Sequence, residues 1–370
     1  MRVPPSRDVA GEPAPGDPLW HARRASEPPG RHNEDIDPLL DLLIHPVLGK
    51  QVWLWLGFLA VVGALLAFDL GVLHRHDKEI GVAESLRLSV FYIAVAVAFG
   101  AWLWSSMGPI PALEYFTGYA IEKALSIDNV FVISVIFGYF AIPARYQYRA
   151  LLWGILAVLV LRGIMIGVGA ALVSQYEWIL FFFGAFLIIT GLRMLFIRES
   201  DPDVSKNPLV RLLARRMPVT SELHGSSFVV RVPDPRVPGR MMRMATPLLL
   251  ALIVINIADL VFAIDSVPAI FAITTDTYIV FTANIMAILG LRALYFALAA
   301  MVHRFEHLKY ALAIVLVFIG AKIFWNHIVG KVDPAVSLAV TLGIIAAGIL
   351  FSLWRTGGSL DPGAERRPGA

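Results

Sequence analysis

Two stretches of the sequence carry paired carboxylates inside otherwise apolar surroundings. The first places Glu122 and Asp128 six residues apart, and the second repeats that spacing with Asp259 and Asp265. An isoleucine precedes the second carboxylate in both stretches, which indicates two copies of one element. Carboxylate, amide and carbonyl oxygens are the ligands of hard divalent ions, so the pattern predicts a site for Mg²⁺, Ca²⁺ or Mn²⁺.

Further polar side chains lie close to these carboxylates in the sequence. An asparagine can give a metal an oxygen ligand, but it can equally serve as a hydrogen-bond partner between helices, and both roles stay open. Asp69 lies near the end of its apolar stretch, so a functional and a structural role are equally open there. The predicted metal-binding set is Glu122, Asp128, Asn129, Asp259, Asp265, Asn256 and Asp69.

Three basic residues also fall deep within apolar stretches, namely Lys123, Arg162 and Arg292. An unpaired charge inside a bilayer costs several kcal/mol, so each must have an acidic partner or water. We expect them to balance the charge of the acidic set. The alternative is that these ion pairs only hold helices together and bind no metal.

The elements that position these residues follow from the composition. Of the 370 residues, 58% are hydrophobic and 16% are charged, whereas soluble domains carry about 25% charged residues. The sequence predicts an all-α integral membrane protein, because its apolar residues form blocks of roughly 20 residues, the length that crosses a bilayer. The nine predicted spans are residues 52–73, 86–106, 113–140, 147–173, 177–197, 246–273, 278–301, 308–328 and 335–354.

The distribution of lysine and arginine predicts the orientation. Nineteen basic residues fall in segments on one side of the nine spans and seven on the other, and cytoplasmic loops retain positive charge. We therefore expect the N-terminus outside and the C-terminus in the cytoplasm. The third and sixth spans then run in opposite directions, so spans three to five and six to eight form an inverted repeat, as in many secondary transporters.

The polar segments complete the predicted organisation. Residues 1–50 form a largely disordered tail, residues 51–197 hold spans one to five, and residues 246–354 hold spans six to nine, before a second disordered tail at 355–370. The loop at 198–245 contains nine basic residues and would face anionic cytoplasmic lipids, so the basic composition requires no nucleic acid. Within it, Ser227–Val232 is predicted to form a strand of a small hairpin.

Helix geometry limits how the carboxylates can converge. Residues six apart are separated by 240° around a helix after a full turn, so they do not share a face. A break in the sixth span would bring them together. Pro268 predicts such a break, because it cannot donate to the carbonyl of Ile264, and that carbonyl would become an additional ligand.

Four ordered motifs resemble signature stretches of the TerC family, which is associated with tellurium resistance and includes manganese exporters of the Alx type. The likeness covers roughly residues 52–330, and it implies a multi-pass bacterial inner-membrane protein related to the LysE transporter superfamily, with Mn²⁺ efflux as its activity. It also implies functional roles for Asp69, Glu122, Asp128, Asn129, Asp259 and Asp265. The motifs are Ala67–Val72, Gly118–Phe131, Ile264–Thr274 and Ala287–Phe296.

One position departs from the family pattern. The family usually has Glu-Ile-Thr-Asp before the second aspartate motif, and this chain has Asn256-Ile-Ala-Asp259. An asparagine adds no negative charge and exchanges no proton, so the coupling stoichiometry and the substrate are both open at this position.

These observations predict a secondary transporter that exports a divalent cation, with Mn²⁺ as the expected substrate and no cofactor. Export from a negative-inside cell costs roughly 4.6 kcal/mol per 100 mV for two charges, so we expect coupling to protons. The alternative is a membrane scaffold or assembly factor without transport. An enzymatic role is not expected, because no nucleophile and base stand out, and the absence of cysteine excludes thiol chemistry.

Overall fold

The structure is a computed structural model of the full chain. It describes residue 43 and residues 45–73, 81–196, 218–220, 223–233, 241–298 and 308–357. Outside the described residues lie most of the predicted tails, at 1–42, 44 and 358–370, and parts of the predicted loop, at 198–217, 221–222 and 234–240. The chain divides into two compact units, residues 1–54 and residues 55–370, and the candidate site belongs to the second.

Ten helices and four short strands make up the described residues. In chain order they are β1 (Pro46–Val47), β2 (Lys50–Gln51), α1 (Val52–Leu73), α2 (Val82–Met107), α3 (Pro109–Tyr139), α4 (Ala144–Gln175), α5 (Trp178–Phe196), β3 (Val229–Pro233), β4 (Met241–Ala245), α6 (Pro247–Phe271), α7 (Thr277–Leu289), α8 (Leu291–Leu298), α9 (Leu308–Ile328) and α10 (Pro334–Gly357).

The first unit contains a minimal hairpin. Strands β1 and β2 pair antiparallel, with Val47 opposite Lys50. The two-residue turn between them has positive φ at both positions, 50° at Leu48 and 81° at Gly49, as tight hairpins with a right-handed strand twist require. Glycine suits the second position because it has no Cβ to clash in that conformation.

The predicted all-α membrane class is confirmed. Within the described residues, seven helices are long and apolar enough to cross a membrane, and the bent pair α7–α8 makes eight if it forms one span. The remaining predicted span corresponds to α3, a continuous helix of 31 residues in which every 18-residue stretch holds at least three charged residues. The count of nine spans and the inverted repeat remain predictions.

The predicted break at Pro268 is wrong. Helix α6 continues through Pro268 to Phe271, because a proline so close to the end of a helix removes one hydrogen bond without ending the helix. The break lies instead in the seventh predicted span, where α7 ends at Leu289, Gly290 intervenes and α8 follows at an angle of 40°.

The predicted hairpin is confirmed, and its location on the cytoplasmic side remains a prediction. Strand β3 begins two residues later than expected and pairs antiparallel with β4, with Val230 opposite Met244. Thr246 joins this hairpin to α6, because its hydroxyl donates to the carbonyl of Ser227 and accepts from the amide of Leu249 in the first helical turn. Pro247 then occupies the first helical position, where no amide hydrogen is needed.

Helices α5 and α9 pack at close range because small residues line their contact. A Cβ atom on Gly320 would lie 2.6 Å from the carbonyl oxygen of Gly184, and one on Gly191 would lie 2.6 Å from that of Ala313. Membrane helices associate through such close approaches, since lipid offers no hydrophobic driving force between them.

We predict that Gly320→Ala destabilises this pair, because the added methyl must displace the backbone of α5. The free energy of unfolding should fall by about 1–3 kcal/mol, measured as a lower midpoint of thermal unfolding in detergent. Gly167→Ala on α4 is the matched control, since nothing lies within 4 Å of a Cβ built there. Equal midpoints for the two variants would contradict this packing.

Candidate functional site

Arg162 lies near the middle of α4 and is the largest fully buried side chain among the described residues. Its Nε and Nη2 atoms donate to the two carboxylate oxygens of Asp259 on α6, each at 3.1 Å. This is the parallel, two-bond geometry in which a guanidinium holds a carboxylate most strongly. Arg162 therefore ties α4 to α6 through a charged pair with fixed orientation.

The same guanidinium also binds Glu122 on α3. Its Nη1 atom donates to Oε2 of Glu122 at 2.6 Å, and the glutamate is 1% exposed. One cation thus contacts carboxylates from two different helices. Burying such charges is costly, and mutual pairing with several hydrogen bonds offsets that cost. Helices α3, α4 and α6 meet at this point.

Neutral groups complete the contacts of this cluster. Asn129 donates from Nδ2 to Oδ1 of Asp259 at 3.3 Å. Nη1 of Arg162 also lies 3.4 Å from the hydroxyl of Ser266 and 3.3 Å from Oδ1 of Asn284 on α7. The Arg162 cluster, as we call these six residues, consists of Glu122, Asn129, Arg162, Asp259, Ser266 and Asn284.

Helix geometry explains which carboxylates join this cluster. Both α3 and α6 are continuous, so Asp128 and Asp265 point about 240° away from Glu122 and Asp259, and each is only partly buried. The structure brings Glu122 and Asp259 together and places Asp128 and Asp265 on other faces. Within the described residues, no group of three or more histidine, aspartate or glutamate side chains is arranged to hold a metal.

Asp69 belongs to a second polar group around Arg292. Arg292, the second residue of α8, forms an ion pair with the Asp69 carboxylate on α1. The guanidinium carbon also lies 4.3 Å from the ring centroid of Tyr148, whose hydroxyl donates to the backbone carbonyl of Asp69. A cation over an aromatic face adds electrostatic attraction to the ion pair.

Lys123 contacts a backbone carbonyl at the helix break. Its Nζ atom donates to the carbonyl of Ala287 at 3.2 Å, and a Cβ on Gly290 would lie 3.0 Å from that nitrogen. The last carbonyls of a helix have no partners within it, and a lysine there also complements the helix dipole. Lys123 therefore stabilises the C-terminal end of α7.

Asn256 occupies the position at which the family pattern has glutamate. Its Nδ2 donates to the carbonyl of Leu252, one turn earlier in α6. Its Oδ1 is buried without a hydrogen-bond partner in the described part of the chain. The asparagine thus faces the protein interior, and the structure does not place it among the contacts of Arg162.

Apolar side chains surround the Arg162 cluster along the helices that form it. On α6, Asp259 lies between Ile255 and Ala263, which belong to two different apolar clusters. On α4, Arg162 lies between the buried residues Val158 and Ile166. The polar centre is therefore enclosed above and below by apolar packing in this conformation.

A small cavity reaches the edge of this polar centre. Asn129 and Asp259 are its polar lining residues, and the rest of its wall is apolar and includes Leu151, Ile155 and Val158 of α4. The volume of the cavity is about 20 Å³, and one water molecule needs about 10–15 Å³. The cavity can therefore hold one water molecule or a bare ion beside Asp259.

Sequence reasoning missed part of the cluster. It considered the six-residue spacing of the carboxylates, but a spacing of seven returns to the same helix face, within about 20°. Asn129 follows Glu122 by seven residues and Ser266 follows Asp259 by seven. This pattern, repeated in both stretches, could have identified Ser266, and it agrees with the prediction that Asn129 is a functional or hydrogen-bonding residue. Tyr148 carried no comparable signal.

Comparisons with known proteins agree with the architecture. Residues 107–359 match the family described as "Integral membrane protein TerC family". The chain is 46% identical over 300 residues to the Myxococcus xanthus protein "Uncharacterized membrane protein STKORF319", covering 81% of this chain and 92% of that one. It is 41% identical over 313 residues to the Escherichia coli protein "Putative membrane-bound redox modulator Alx", covering 81% and 94%. No solved structure matches.

We predict that Asp259→Asn destabilises the protein more than Glu122→Gln does. Asp259 accepts two bonds from Arg162 and one from Asn129, whereas Glu122 accepts one from Arg162. A hydrogen bond to a charged group contributes about 1.5–3 kcal/mol, so the free energies of unfolding should differ by about that much. Thermal unfolding in detergent measures the order, with Glu177→Gln at an exposed position as control. The reverse order would contradict this geometry.

Proposed function

The chain belongs to the TerC family of integral membrane proteins, and from that premise we propose that it is a secondary transporter exporting a divalent cation. Mn²⁺ is the proposed substrate, and protons are the proposed coupling ion. The relatives found in bacteria and the several apolar helices agree with a multi-pass bacterial membrane protein. Location in the inner membrane, with the N-terminus outside and the C-terminus in the cytoplasm, is part of the proposal.

One observation carries this proposal. Glu122 and Asp259 come from different helices, are almost fully buried and share the guanidinium of Arg162, and Asp259 also lines a cavity of water size. Ionisable residues inside a membrane are costly, and they mark ion pathways more often than they serve structure alone. Two carboxylates with an amide oxygen nearby form a donor set that suits a hard divalent ion.

The choice of cation rests on the family resemblance, and the direction of transport rests on the membrane potential. Oxygen donors favour Mg²⁺, Ca²⁺ and Mn²⁺ alike, and only the family resemblance favours Mn²⁺. Export against a negative-inside potential requires coupling, and carboxylates can exchange a metal for protons. Asp128 and Asp265 retain their predicted roles as further ligands along the ion path, since both are polar and partly exposed within apolar helices.

A scaffold without transport is the second candidate. It is favoured by the contacts of Arg162, because the guanidinium already provides a partner for Glu122 and for Asp259. In that case the cluster would only fix the helices relative to one another. The name of the Escherichia coli relative points to redox modulation, but this chain contains no cysteine with which to exchange electrons through thiols.

Reconstituted protein should export Mn²⁺ from proteoliposomes, and Asp128→Asn and Asp265→Asn should each abolish most of that flux. These nearly isosteric changes remove a charge outside the Arg162 cluster. Because both aspartates have contacts of their own, thermal unfolding of each variant in detergent checks that the fold is retained. Flux of Mn²⁺, Ca²⁺ and Mg²⁺ is measured with and without an imposed pH gradient. Glu177→Gln serves as the control, since its side chain is exposed at a helix end.

Cells provide the matching readout. Cells that lack the protein should accumulate Mn²⁺, and only the wild-type chain and the control should restore efflux. If both aspartate variants restore efflux fully, Asp128 and Asp265 are not ligands of the transported ion. If the wild type restores efflux in cells but carries no Mn²⁺ flux in proteoliposomes, the scaffold is favoured over the transporter. If flux persists but ignores the pH gradient, proton coupling is wrong while transport stands.

A further inference from the structure

We propose that the Arg162 guanidinium is a tethered cation, which binds the Glu122 and Asp259 carboxylates in alternation with the transported divalent ion. The inference rests on the proposed transport function and adds a mechanism to it. In the conformation described above, the arginine holds the site in place of the substrate. Transport then requires the guanidinium to leave the carboxylates when the ion enters and to return when the ion leaves.

The geometry makes the two cations mutually exclusive. Arg162 contacts both oxygens of Asp259 and one oxygen of Glu122, and these contacts leave no gap between the two carboxylates. An ion that binds oxygens from both residues must lie where the guanidinium now lies. A divalent ion binds its oxygen ligands within about 2.6 Å. The ion and the guanidinium therefore cannot both lie between the two carboxylates. The ion cannot be added to the cluster and must displace the arginine.

The cluster is also incomplete as a purely structural ion pair. The Oε1 atom of Glu122 and the Nδ2 atom of Asn284 are both buried and have no hydrogen-bond partner within the described residues. Buried polar atoms in stable networks are nearly always satisfied, because an unsatisfied one costs about 1–3 kcal/mol. One guanidinium brings a single positive charge to two carboxyl groups, whereas a divalent ion brings two.

The neighbouring cavity gives the exchange a route. Leu151, Ile155 and Val158 of its wall occupy the same face of α4 as Arg162, at spacings of four, three and four residues. The cavity therefore runs along the helix face that carries the arginine and ends at Asp259. It can hold a bare ion or a water but not a guanidinium, so release of the arginine requires α4 and α6 to separate.

The contacts of Arg292 differ, which limits the proposal to Arg162. Arg292 pairs with one carboxylate, that of Asp69, and its guanidinium also lies over the ring of Tyr148, while its Nη1 atom is buried without a hydrogen-bond partner among the described residues. A one-to-one pair between an arginine and an aspartate is balanced in charge. It attracts no further cation, and we assign it to holding α1 against α8.

Equilibrium binding of Mn²⁺ to the purified full chain tests the proposal. If the arginine occupies the site for most of the time, only a small fraction of molecules can bind the ion. The apparent dissociation constant of the wild type is then the intrinsic constant divided by that fraction, and it is larger than the intrinsic constant. Arg162→Gln removes the competing charge, and Arg162→Lys keeps a charge but loses the two-bond contact with Asp259. Both variants should bind Mn²⁺ at least about tenfold more tightly than the wild type, and both should lose Mn²⁺ flux.

Folding offers a second readout. Arg162→Gln leaves two buried carboxylates without their cation, so its midpoint of thermal unfolding should fall, and millimolar Mn²⁺ should restore it. The wild type should gain little from the same Mn²⁺. Arg193→Gln is the control, because Arg193 is an exposed arginine of another apolar helix and its loss should change neither binding nor stability.

The outcomes distinguish a failure of the tethered cation from a failure of the proposed transport function. Unchanged or weaker Mn²⁺ binding in both variants, in a wild type that transports Mn²⁺, overturns the tethered cation and leaves transport intact. Tighter binding in the variants without any flux in the wild type supports the tethered cation and overturns transport. If Arg162→Gln fails to fold in either condition, the affinity of Arg162→Lys decides alone.

Discussion

The burial of one guanidinium between two carboxylates, in helices that cross lipid, is the constraint on which the rest of the structure depends. Neither Arg162 nor its partners could remain in that environment alone, because each unpaired charge would cost several kcal/mol. The cluster therefore fixes α3, α4 and α6 at one relative position. Apolar layers on both sides then limit the access of water to the small cavity beside Asp259, and the low local polarity strengthens the charged contacts further.

The buried arginines of the two predicted halves make different contacts. By sequence, Arg162 and Arg292 hold equivalent places, each one span after a carboxylate pair. In the structure, Arg162 binds one carboxylate from each half, whereas Arg292 binds Asp69 from a helix outside the predicted repeat. The first contact joins the halves at the centre. The second attaches α1, so equivalence in sequence does not extend to the contacts that the two arginines make.

Much of the fold could be predicted from the sequence, because twenty-residue apolar blocks specify membrane helices through length and hydropathy alone. The hairpin before α6 could be predicted from a strand-like segment flanked by Gly and Pro. The break at Gly290 could not be predicted, since Pro268 looked like the stronger helix breaker, although its place five residues before the predicted end of the sixth span already allowed the helix to continue. Charge alone predicts that buried acids pair with buried arginines. It does not predict which carboxylate contacts which arginine, because that depends on the helix face each residue occupies, and residues six apart lie on different faces.

Two adjacent residues of α3 connect the polar centre to the helix break. Glu122 contacts Arg162, and the next residue, Lys123, holds the last turn of α7 through the carbonyl of Ala287. Gly290, at the break, lies two residues before Arg292 on α8. Because consecutive residues of a helix move together, a shift of α3 that changes the contact of Glu122 also changes the support of α7. The cation at the centre and the bend in the helix are therefore coupled through one short segment of α3, without a chain of intervening contacts.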